Sequence, residues 1–258
     1  MQNFQHSEST LLNIELTIAD WAAWAPGLHT PEDWQAWARA PFSPQGDDTP
    51  ALSEVPAMQR RRIDRLGRMA IQTAYWCQRA EAAGIPFVFA SRHGDVACSV
   101  ELLGSLSRHE SLSPTGFGLS VHNAIAALYS IVRGERGNYL ALAAGAATPA
   151  AAMVEAAGLI ADGAAETLVV VYDAALPEVY VDFRDEADPF HAWCWRLAAP
   201  GAAGRRLSLS CGVAEGEAPV APTQWPRSLD VLRFFLQGEA ELRQRVDAVD
   251  WTWRCLPG

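Results

Sequence analysis

Residues 138–172, NYLALAAGAATPAAAMVEAAGLIADGAAETLVVVY, decide the fold of this chain. The first seven residues of this stretch predict an apolar strand. The small-residue run that follows predicts a helix, with Thr148 as its cap, Pro149 in its first turn and Gly163 at its end. The final string, ETLVVVY, is a continuous apolar run, which is typical of a strand covered on both faces of a sheet. Strand, helix and strand together predict a parallel βαβ unit, and hence an α/β fold.

The same kind of patterning extends to both sides of this unit. Residues 12–18 alternate apolar and polar side chains and predict a half-buried strand. The other predicted elements are a helix starting at Thr30-Pro31, a loop over 41–56, a long helix over 57–80, a strand over 86–90, helices over 96–107 and 120–133 with a turn at 113–116 between them, a hairpin made of 192–198 and 205–213, a helix over 228–237 and an edge strand over 250–254.

The composition is that of a folded, acidic chain. Half of the 258 residues are hydrophobic, which is too many for a disordered chain. The formal net charge is −10, from thirty acidic residues and twenty Arg, and the sequence contains no Lys. This balance argues against a nucleic-acid-binding surface. The absence of Lys excludes Schiff-base and P-loop lysines.

The cysteines and the apolar segments indicate the cellular location of the protein. The five Cys are scattered and odd in number, with no CxxC, so neither a disulfide framework nor a zinc site is expected. The first residues lack the basic start and apolar core of a signal peptide. The most apolar stretch, 139–161, is interrupted by Thr148, Pro149 and Glu155, so no membrane span is expected. We therefore expect a cytoplasmic protein.

Two short constellations raise the question of catalysis by this chain. Ser91, His93 and Asp95 are the residue types of a hydrolase triad, although a triad requires a spatial geometry that adjacency in sequence does not supply. Cys98 resembles a nucleophile with His93 as its nearest candidate base. The structural alternatives are a polar turn between a strand and a helix for the first set, and a small buried hydrophobe for Cys98.

Metal ions and acidic partners are the other candidate ligands. No two His stand four residues apart and His191 is isolated, so no metal site and no cofactor are predicted. Arg61, Arg65 and Arg68 are predicted to share one face of the long helix, and they stand out in an acidic chain. They form either a solvated helix face or a docking site for an acidic partner.

The segment from Ser113 to Asp173 resembles the N-terminal half of the β-ketoacyl synthases. It contains SPTGF at 113–117, SVHNA at 120–124, and the turn GAATP at 145–149 ahead of a helix that ends with Ile160 and Gly163, and SRHGD precedes it at 91–95. SRHGD and SVHNA are similar to one subgroup, the short synthase-like chain-length factors of bacterial aryl polyene clusters. The resemblance covers most of residues 10–180.

The resemblance implies a thiolase-like, layered α/β fold that corresponds to the N-terminal half of a ketosynthase, with an added C-terminal hairpin and helix region. On this basis residues 1–258 are expected to form a single domain, in which residues 185–258 complete the core that residues 10–180 begin. The family packs two similar halves together. The helix at 149–162 must therefore be covered by the C-terminal residues or by a partner.

The chain departs from the family at the catalytic positions. Counting back from Ile160 and Gly163 places the family's nucleophile at Ala146. A synthase carries its acyl group on a Cys thiolate, and Ala has no sulfur. A synthase also uses two His from its C-terminal half, whereas His191 is the only His after Ala146 in this sequence. The resemblance therefore implies a catalytically inactive homologue.

The resemblance also implies partners. The chain would form a heterodimer with a full-length, Cys-containing ketosynthase and shape the tunnel for an acyl or polyene chain delivered by an acyl carrier protein. The strand before the nucleophile, where subunits of the family pair, is represented by Asn138, Tyr139, Leu140, Ala141 and Leu142. Candidates for a side chain that limits chain length are Phe117, Leu128 and Tyr129, and candidates for docking the carrier protein or partner are Arg61, Arg65 and Arg68.

Two other interpretations stay open on the sequence alone. The chain could be a stand-alone acyl-thioester hydrolase or transferase that uses Ser91, His93 and Asp95, or Cys98. It could also be a structural homodimer that holds a small ligand.

Overall fold

The apolar runs of the sequence form one mixed sheet in the part of the chain that the structure describes. The computed structural model describes residues 10–78, 84–214, 216 and 225–257. The strands in these ranges are β1 (Thr10–Trp24), β2 (Phe87–Ala90), β3 (Tyr139–Leu142), β4 (Glu166–Asp173), β5 (His191–Ala198), β6 (Arg205–Val213), β7 (Glu241–Val246) and β8 (Val249–Cys255). Their order in the sheet is β3-β2-β4-β5-β1-β6-β8-β7. β2 pairs in parallel with β3 and β4, and the remaining described pairs are antiparallel.

Helices cover both faces of this sheet. They are α1 (Pro31–Arg39), α2 (Ala57–Arg60), α3 (Arg65–Cys77), α4 (Val96–Ser107), α5 (Pro114–Leu119), α6 (Ala124–Arg133), α7 (Thr148–Ala161) and α8 (Arg227–Gln237), with 3-10 segments at Gly145–Ala147 and Glu178–Phe183. Buried residues of α1, α7 and α8 pack on one face, and those of α3 and α6 pack on the other. The layered α/β arrangement expected from the sequence is confirmed. Among the described residues, no helix is long and apolar enough to cross a bilayer.

Aromatic side chains fill the two layers between the sheet and its helices. Trp34, Trp193 and Trp253 are almost fully buried on the side of α1, α7 and α8, and Phe87 and Tyr129 are fully buried on the opposite side. Full burial of a large apolar side chain contributes about 1.5–3 kcal/mol to stability. Because α8 and α7 share one layer, residues beyond 185 do cover part of the central helix.

The parallel unit over residues 138–172 forms as predicted. β3 leads through a 3-10 turn into α7, and α7 leads into β4. β3 and β4 are both parallel to β2, which lies between them. Gly163, with a φ of +105°, lies just beyond the end of α7, as expected. The predicted cap is wrong, because Ala147 occupies the N-cap position and Thr148 is the first helical residue.

The first strand changes faces at a β-bulge. Ile18 pairs with Leu197 and Asp20 pairs with Arg196, so Ala19 is an extra residue on β1. Before the bulge, Ile18 points into the layer of α7 and α8, whereas two positions after Asp20, Ala22 points into the layer of α3 and α6. Because strand side chains alternate with a period of two, one extra residue is enough to exchange the faces.

The predicted hairpin of 192–198 and 205–213 is wrong. The two segments are the strands β5 and β6, but β1 lies between them and pairs with both. The connection between them passes the bulged part of β1, where Gly204 has a φ of +143° and a Cβ would lie 2.3 Å from the Ile18 carbonyl oxygen. A side chain at this position would therefore block the crossing.

The predicted edge strand over 250–254 is also misplaced. It is the middle of β8, which lies between β6 and β7. The sequence of β7, ELRQRV, is highly charged and was not predicted as a strand. Charged residues are what an exposed edge strand favours, because they discourage pairing with other chains. In the described sheet, the two edges are β7 and β3.

Two helix boundaries also differ from the prediction. The long helix over 57–80 is divided into α2 and α3, because Asp64 caps α3 by accepting a hydrogen bond of 2.7 Å from the Gly67 amide. The predicted turn at 113–116 is the start of α5, which Ser113 caps. The helix predicted over 120–133 begins at Ala124 instead.

Candidate functional site

The position expected for a nucleophile lies in the turn between β3 and α7. Ala146 is half-buried in the 3-10 segment Gly145–Ala147, directly before the helix. The Thr148 hydroxyl holds this turn, since it accepts from the Ala144 amide at 3.0 Å and donates to the Gly145 carbonyl at 2.7 Å. A helix N-terminus stabilises a thiolate, but the side chain at residue 146 is a methyl group.

A second turn, at the end of β2, is tied to the end of β4. Ser91 Oγ donates to Asp173 Oδ1 at 2.8 Å, and the amides of Arg92 and His93 donate to the same oxygen at 2.9 and 3.3 Å. Ser91 Oγ also accepts from the Gly94 amide at 2.8 Å. Burial raises the pKa of Asp173 to about 7, even though these hydrogen bonds lower it. The sequence analysis did not identify Asp173 as a site residue. The only sequence feature that points to it is its position at the end of an apolar run.

The geometry does not assemble Ser91, His93 and Asp95 into a triad. Ser91 Oγ is engaged with Asp173, and Asp95 caps α4 by accepting from the Cys98 amide at 2.9 Å. Burial, followed by the nearby Arg92 guanidinium, lowers the pKa of His93. Within the described residues, no hydrogen bond joins the His93 ring to Ser91 or Asp95. The residues form the polar turn that was the structural alternative.

Cys98 is in an environment that keeps its thiol protonated. Burial raises the pKa of the thiol, and the carboxylates of Asp95, Asp64 and Glu101 raise it further. The Sγ atom lies 3.9 Å from the Gly116 carbonyl oxygen, to which it can donate. Because the thiolate is the nucleophilic form, this environment does not favour covalent chemistry at Cys98.

The two strings SRHGD and SVHNA meet at the end of β3. The Ser91 amide and His122 Nε2 both donate to the Leu142 carbonyl, at 3.1 and 3.0 Å. Gly94 packs against the His122 ring so closely that a Cβ at residue 94 would lie 2.7 Å from Nδ1. The two turns and the His122 ring therefore lie next to the turn that holds Ala146.

A cavity of about 310 Å³ lies between α4, α5 and α6. Leu119, Ile125 and Leu128 line part of it, and Asp64 and Asp95 lie at its border with a second cavity of about 190 Å³. Arg62 and Glu101 also line the cavity, and the apolar part of its wall suits an apolar chain because contact there removes apolar surface from water.

The three predicted chain-length candidates lie in different environments. Leu128 lines the larger cavity, and Phe117 on α5 is 63% exposed. Tyr129 is fully buried among aromatic rings, and its hydroxyl donates to Gln78 Oε1. Tyr129 is therefore part of the core and cannot protrude towards a partner, which corrects the expectation for this residue.

The three predicted docking arginines do not share one helix face. Arg61 is exposed at the end of α2, before the break. Arg65 donates to the carbonyls of Asp48 and Gly46 at 2.9 and 2.6 Å, and Arg68 donates to the Ile63 carbonyl at 3.0 Å. Arg65 and Arg68 therefore hold the loop and the helix break of their own chain, rather than forming a free cluster.

The predicted interface residues, Asn138, Tyr139, Leu140, Ala141 and Leu142, lie along an edge of the sheet. The Asn138 carbonyl accepts from the Phe87 amide at 3.0 Å, and the Leu142 carbonyl accepts from the amide of Ser91, just after β2, at 3.1 Å. Even-numbered residues therefore direct their backbone groups towards β2. Because strand geometry alternates, the Tyr139 and Ala141 backbone groups point away from the sheet, where no described strand pairs with them.

His191 has a structural role rather than a catalytic one. Its ring is fully buried, with Nδ1 donating to the Pro189 carbonyl at 2.8 Å and Nε2 accepting from Ser228 Oγ at 2.7 Å. This pair joins the start of β5 to the start of α8. Burial lowers the pKa of His191 to about 4. Among the described residues, no three His, Cys, Asp or Glu side chains are grouped so that they could hold a metal ion.

The fold and the site define a class of protein: a layered α/β chain with a strand–turn–helix unit, Ala146 in its turn and, beside it, a strand whose outer edge no described residue pairs with. The family model described as beta-ketoacyl synthase, N-terminal domain, matches residues 34–254, and the chain belongs to this family. A comparison with curated proteins gives no significant match. The thiolase-like fold expected from the resemblance is confirmed.

Solved structures similar to this chain include ketosynthases in complexes. One is the ketosynthase ApeO in complex with its chain length factor ApeC from Xenorhabdus doucetiae, with 28% identity, a TM-score of 0.79, and coverage of 93% of this chain and 99% of that chain. The ishigamide ketosynthase/chain length factor has 16% identity, a TM-score of 0.59, and coverage of 78% and 68%. A beta-ketoacyl synthase from Burkholderia phymatum STM815 has 14% identity, a TM-score of 0.57, and coverage of 86% and 69%. The last two show the shared fold.

The buried state of His191 predicts an acid-sensitive fold. A folded-state pKa of about 4 against an ordinary value of 6.5 means that the unfolded chain takes up the proton first. The contribution of His191 to stability is therefore complete above about pH 6.5, and it falls by up to about 3 kcal/mol as the pH drops towards 4. Urea unfolding of wild type and His191→Gln across this range should show a weaker pH dependence in the variant. His109→Gln, at an exposed position, is the control, and equal slopes for all three chains would contradict the prediction.

Proposed function

We propose that this chain is a non-catalytic chain-length-factor subunit. It forms a heterodimer with a Cys-containing ketosynthase in the cytoplasm and shapes the tunnel for an acyl chain in the synthesis of an aryl-polyene-type product. The observation that carries this proposal is Ala146, which occupies the turn between β3 and α7 where the family resemblance places the nucleophile. A methyl group cannot accept an acyl group from a thioester, so the covalent step belongs to the partner.

The similarity to ketosynthase/chain length factor complexes supports the choice of partner. The unpaired edge of β3 supports it in physical terms. An apolar strand edge is an aggregation hazard unless another strand or a helix covers it. Pairing with the equivalent strand of a ketosynthase would satisfy the outward-facing backbone groups of Tyr139 and Ala141 and extend the sheet across the interface.

Pairing through β3 predicts that Ala141→Pro weakens the heterodimer. Proline removes the outward-facing amide but leaves the amides that bond to β2 in place, so the edge strand tolerates it. The lost hydrogen bond and the added bulk should raise the dissociation constant by about tenfold or more. The measurement is size exclusion with light scattering on the chain co-expressed with a ketosynthase from the same gene neighbourhood.

Ala141→Val is the matched control, because it keeps the amide and favours strand geometry. It should co-elute with the ketosynthase as wild type does. If the wild-type chain and the ketosynthase elute as separate, stable species, the proposed function is wrong. If both variants bind equally well, pairing through this edge is wrong.

If this chain is non-catalytic, we expect that the purified chain is not acylated. Incubation with an acyl-carrier-protein thioester should add no acyl mass to it in intact mass spectrometry, while a Cys-bearing ketosynthase gains the mass. Full product formation by a heterodimer carrying His93→Ala and Cys98→Ala would remove the hydrolase or transferase alternative. An acyl adduct on this chain, or hydrolysis of the thioester by it alone, would overturn the proposal.

The cavity beside α6 provides a place for the end of the growing chain. Its apolar wall includes Leu119, Ile125 and Leu128. We propose that the volume of this cavity sets the length of the acyl chain sterically. The candidate side chains that stop elongation are Leu128, on the cavity wall, and the exposed Phe117, which follows the lining residue Gly116. The acyl carrier protein would deliver the chain to the partner's thiolate. Arg61 is the docking candidate that the fold leaves exposed for the carrier or the partner.

A larger side chain in this cavity should shorten the product. Leu128→Trp fills part of the apolar space, so the reconstituted heterodimer should release chains at least one elongation step shorter than wild type. Leu11→Trp is the control, since Leu11 is 64% exposed at the start of β1 and does not line the cavity. Product lengths are compared by liquid chromatography and mass spectrometry. Unchanged length in a stable Leu128→Trp heterodimer would exclude this cavity as the limit.

A further inference from the structure

A short segment after β4 presents apolar side chains to solvent. The 3-10 segment Glu178–Phe183 carries Val179, Val181 and Phe183, which are 69%, 41% and 71% exposed. We call this segment the knob. Single exposed apolar residues are ordinary, but three within five residues of one ordered segment form a patch of the kind that marks a protein contact.

Ion pairs and hydrogen bonds close the base of the knob. Asp188 Oδ2 accepts from the Leu176 amide at 2.8 Å and pairs with Arg184 Nε at 2.9 Å. Arg184 Nη2 also donates to the Leu176 carbonyl at 3.4 Å. The residues that enter and leave the knob are therefore joined to one another across its base.

A second set of contacts fastens the base to the rest of the fold. The Arg92 guanidinium, which is 15% exposed, pairs with Asp185 Oδ2 at 2.6 Å and with Glu186 Oε1 at 3.0 Å. Glu186 Oε2 also accepts from the Arg227 amide at 3.2 Å. The knob is thus held before any partner arrives, so binding through it loses little conformational entropy.

The charge around the knob selects the chemistry of its partner. The acidic residues of the base are used within the chain, whereas Glu178 and Asp182 on the knob itself make no ion pair with any described residue. A complementary surface must therefore offer an apolar socket with basic residues at its rim. A second copy of this chain, with a net charge of −10, and an acidic carrier protein both fit this requirement poorly.

A series of contacts links the base of the knob to the end of β3, the strand of the proposed heterodimer edge. Arg92, at the base of the knob, lies two residues before Gly94, which packs against the His122 ring. His122 in turn donates to the Leu142 carbonyl at the end of β3. Because β2, β3 and β4 are parallel, the segments that follow them all begin at the carboxyl ends of these strands, on the same side of the sheet. A partner paired with β3 can therefore reach the knob.

We propose that the knob Glu178–Phe183 is a second docking element, which inserts Val179 and Phe183 into an apolar socket with a basic rim on the ketosynthase subunit. This proposal rests on the proposed function, because it names the surface through which the same heterodimer forms. It assigns the β3 edge to backbone pairing and the knob to side-chain recognition.

The test measures the heterodimer of the full chains with Val179→Ser and Phe183→Ser combined. The dissociation constant should rise by about tenfold or more, because buried apolar anchors dominate interface energies. The control is Leu11→Ser, since Leu11 is 64% exposed at the start of β1, at the opposite end of the sheet from the knob. It should leave the dissociation constant within about twofold of wild type, as surface contacts outside an interface do.

A second measurement tests the charge argument without removing the apolar residues. Glu178→Gln with Asp182→Asn should slow association and reduce its dependence on salt, because these carboxylates face basic groups in the encounter. Asp162→Asn, at the exposed end of α7 and ahead of the start of β4, is the control and should leave the salt dependence unchanged. Hydrogen exchange should also show protection of residues 178–183 when the ketosynthase binds.

The outcomes separate this inference from the function on which it rests. If wild type pairs with the ketosynthase but the knob variants bind equally well and the segment gains no protection, the knob is not a docking element and the heterodimer stands. If the knob variants lose the carrier protein and not the ketosynthase, the assignment of the partner is wrong. If wild type does not pair with the ketosynthase at all, the function and the inference fail together.

Discussion

The hydrogen bonds that converge on the turn after β2 are the constraint on which the site depends. Asp173 at the end of β4 accepts from the Ser91 hydroxyl and two following amides, and the Ser91 amide donates to Leu142 at the end of β3. Three parallel strands are thereby fixed relative to one another at their carboxyl ends. The turn with Ala146 follows the end of β3, which is the edge strand, and the knob follows the end of β4. Loss of the Asp173 carboxyl would leave buried donors unpaired beneath all three.

The sequence predicts local units well and neighbours in the sheet poorly. The βαβ unit over residues 138–172 was predictable because its strands are continuous apolar runs and its helix has clear end signals. The period of a strand indicates which face is buried but not which strand lies beside it. β5 and β6 therefore looked like a hairpin, although β1 lies between them. The bulge at Ala19, which lets β1 serve both layers, leaves no pattern that distinguishes it from a slip in alternation.

Sequence analysis also located some parts of the candidate site and missed others. The family resemblance located the turn at Ala146, and the edge position of β3 accords with the interface proposed there. The prediction that the three arginines share one helix face is wrong because it assumed an unbroken helix. Asp64 starts a new helix, and Arg65 and Arg68 donate to backbone carbonyls of the same chain. The importance of Asp173 was invisible, because its partners are about eighty residues away in sequence. Burial of Tyr129 depended on which side of α6 faces the sheet.

The structure explains how the turn before α7 keeps its shape with only a methyl group at residue 146. The turn before α7 is held by the Thr148 hydroxyl and by Gly145 in a left-handed conformation, and neither depends on the side chain at residue 146. The side chain at residue 146 makes neither of these contacts, so a methyl group there costs the turn no hydrogen bond. An unpaired strand edge and an apolar knob, in contrast, are unfavourable in water and gain stability only when covered. The strand edge and the knob are therefore features that suit contact with a partner. In the proposed heterodimer, the acyl transfer takes place on the partner's thiolate.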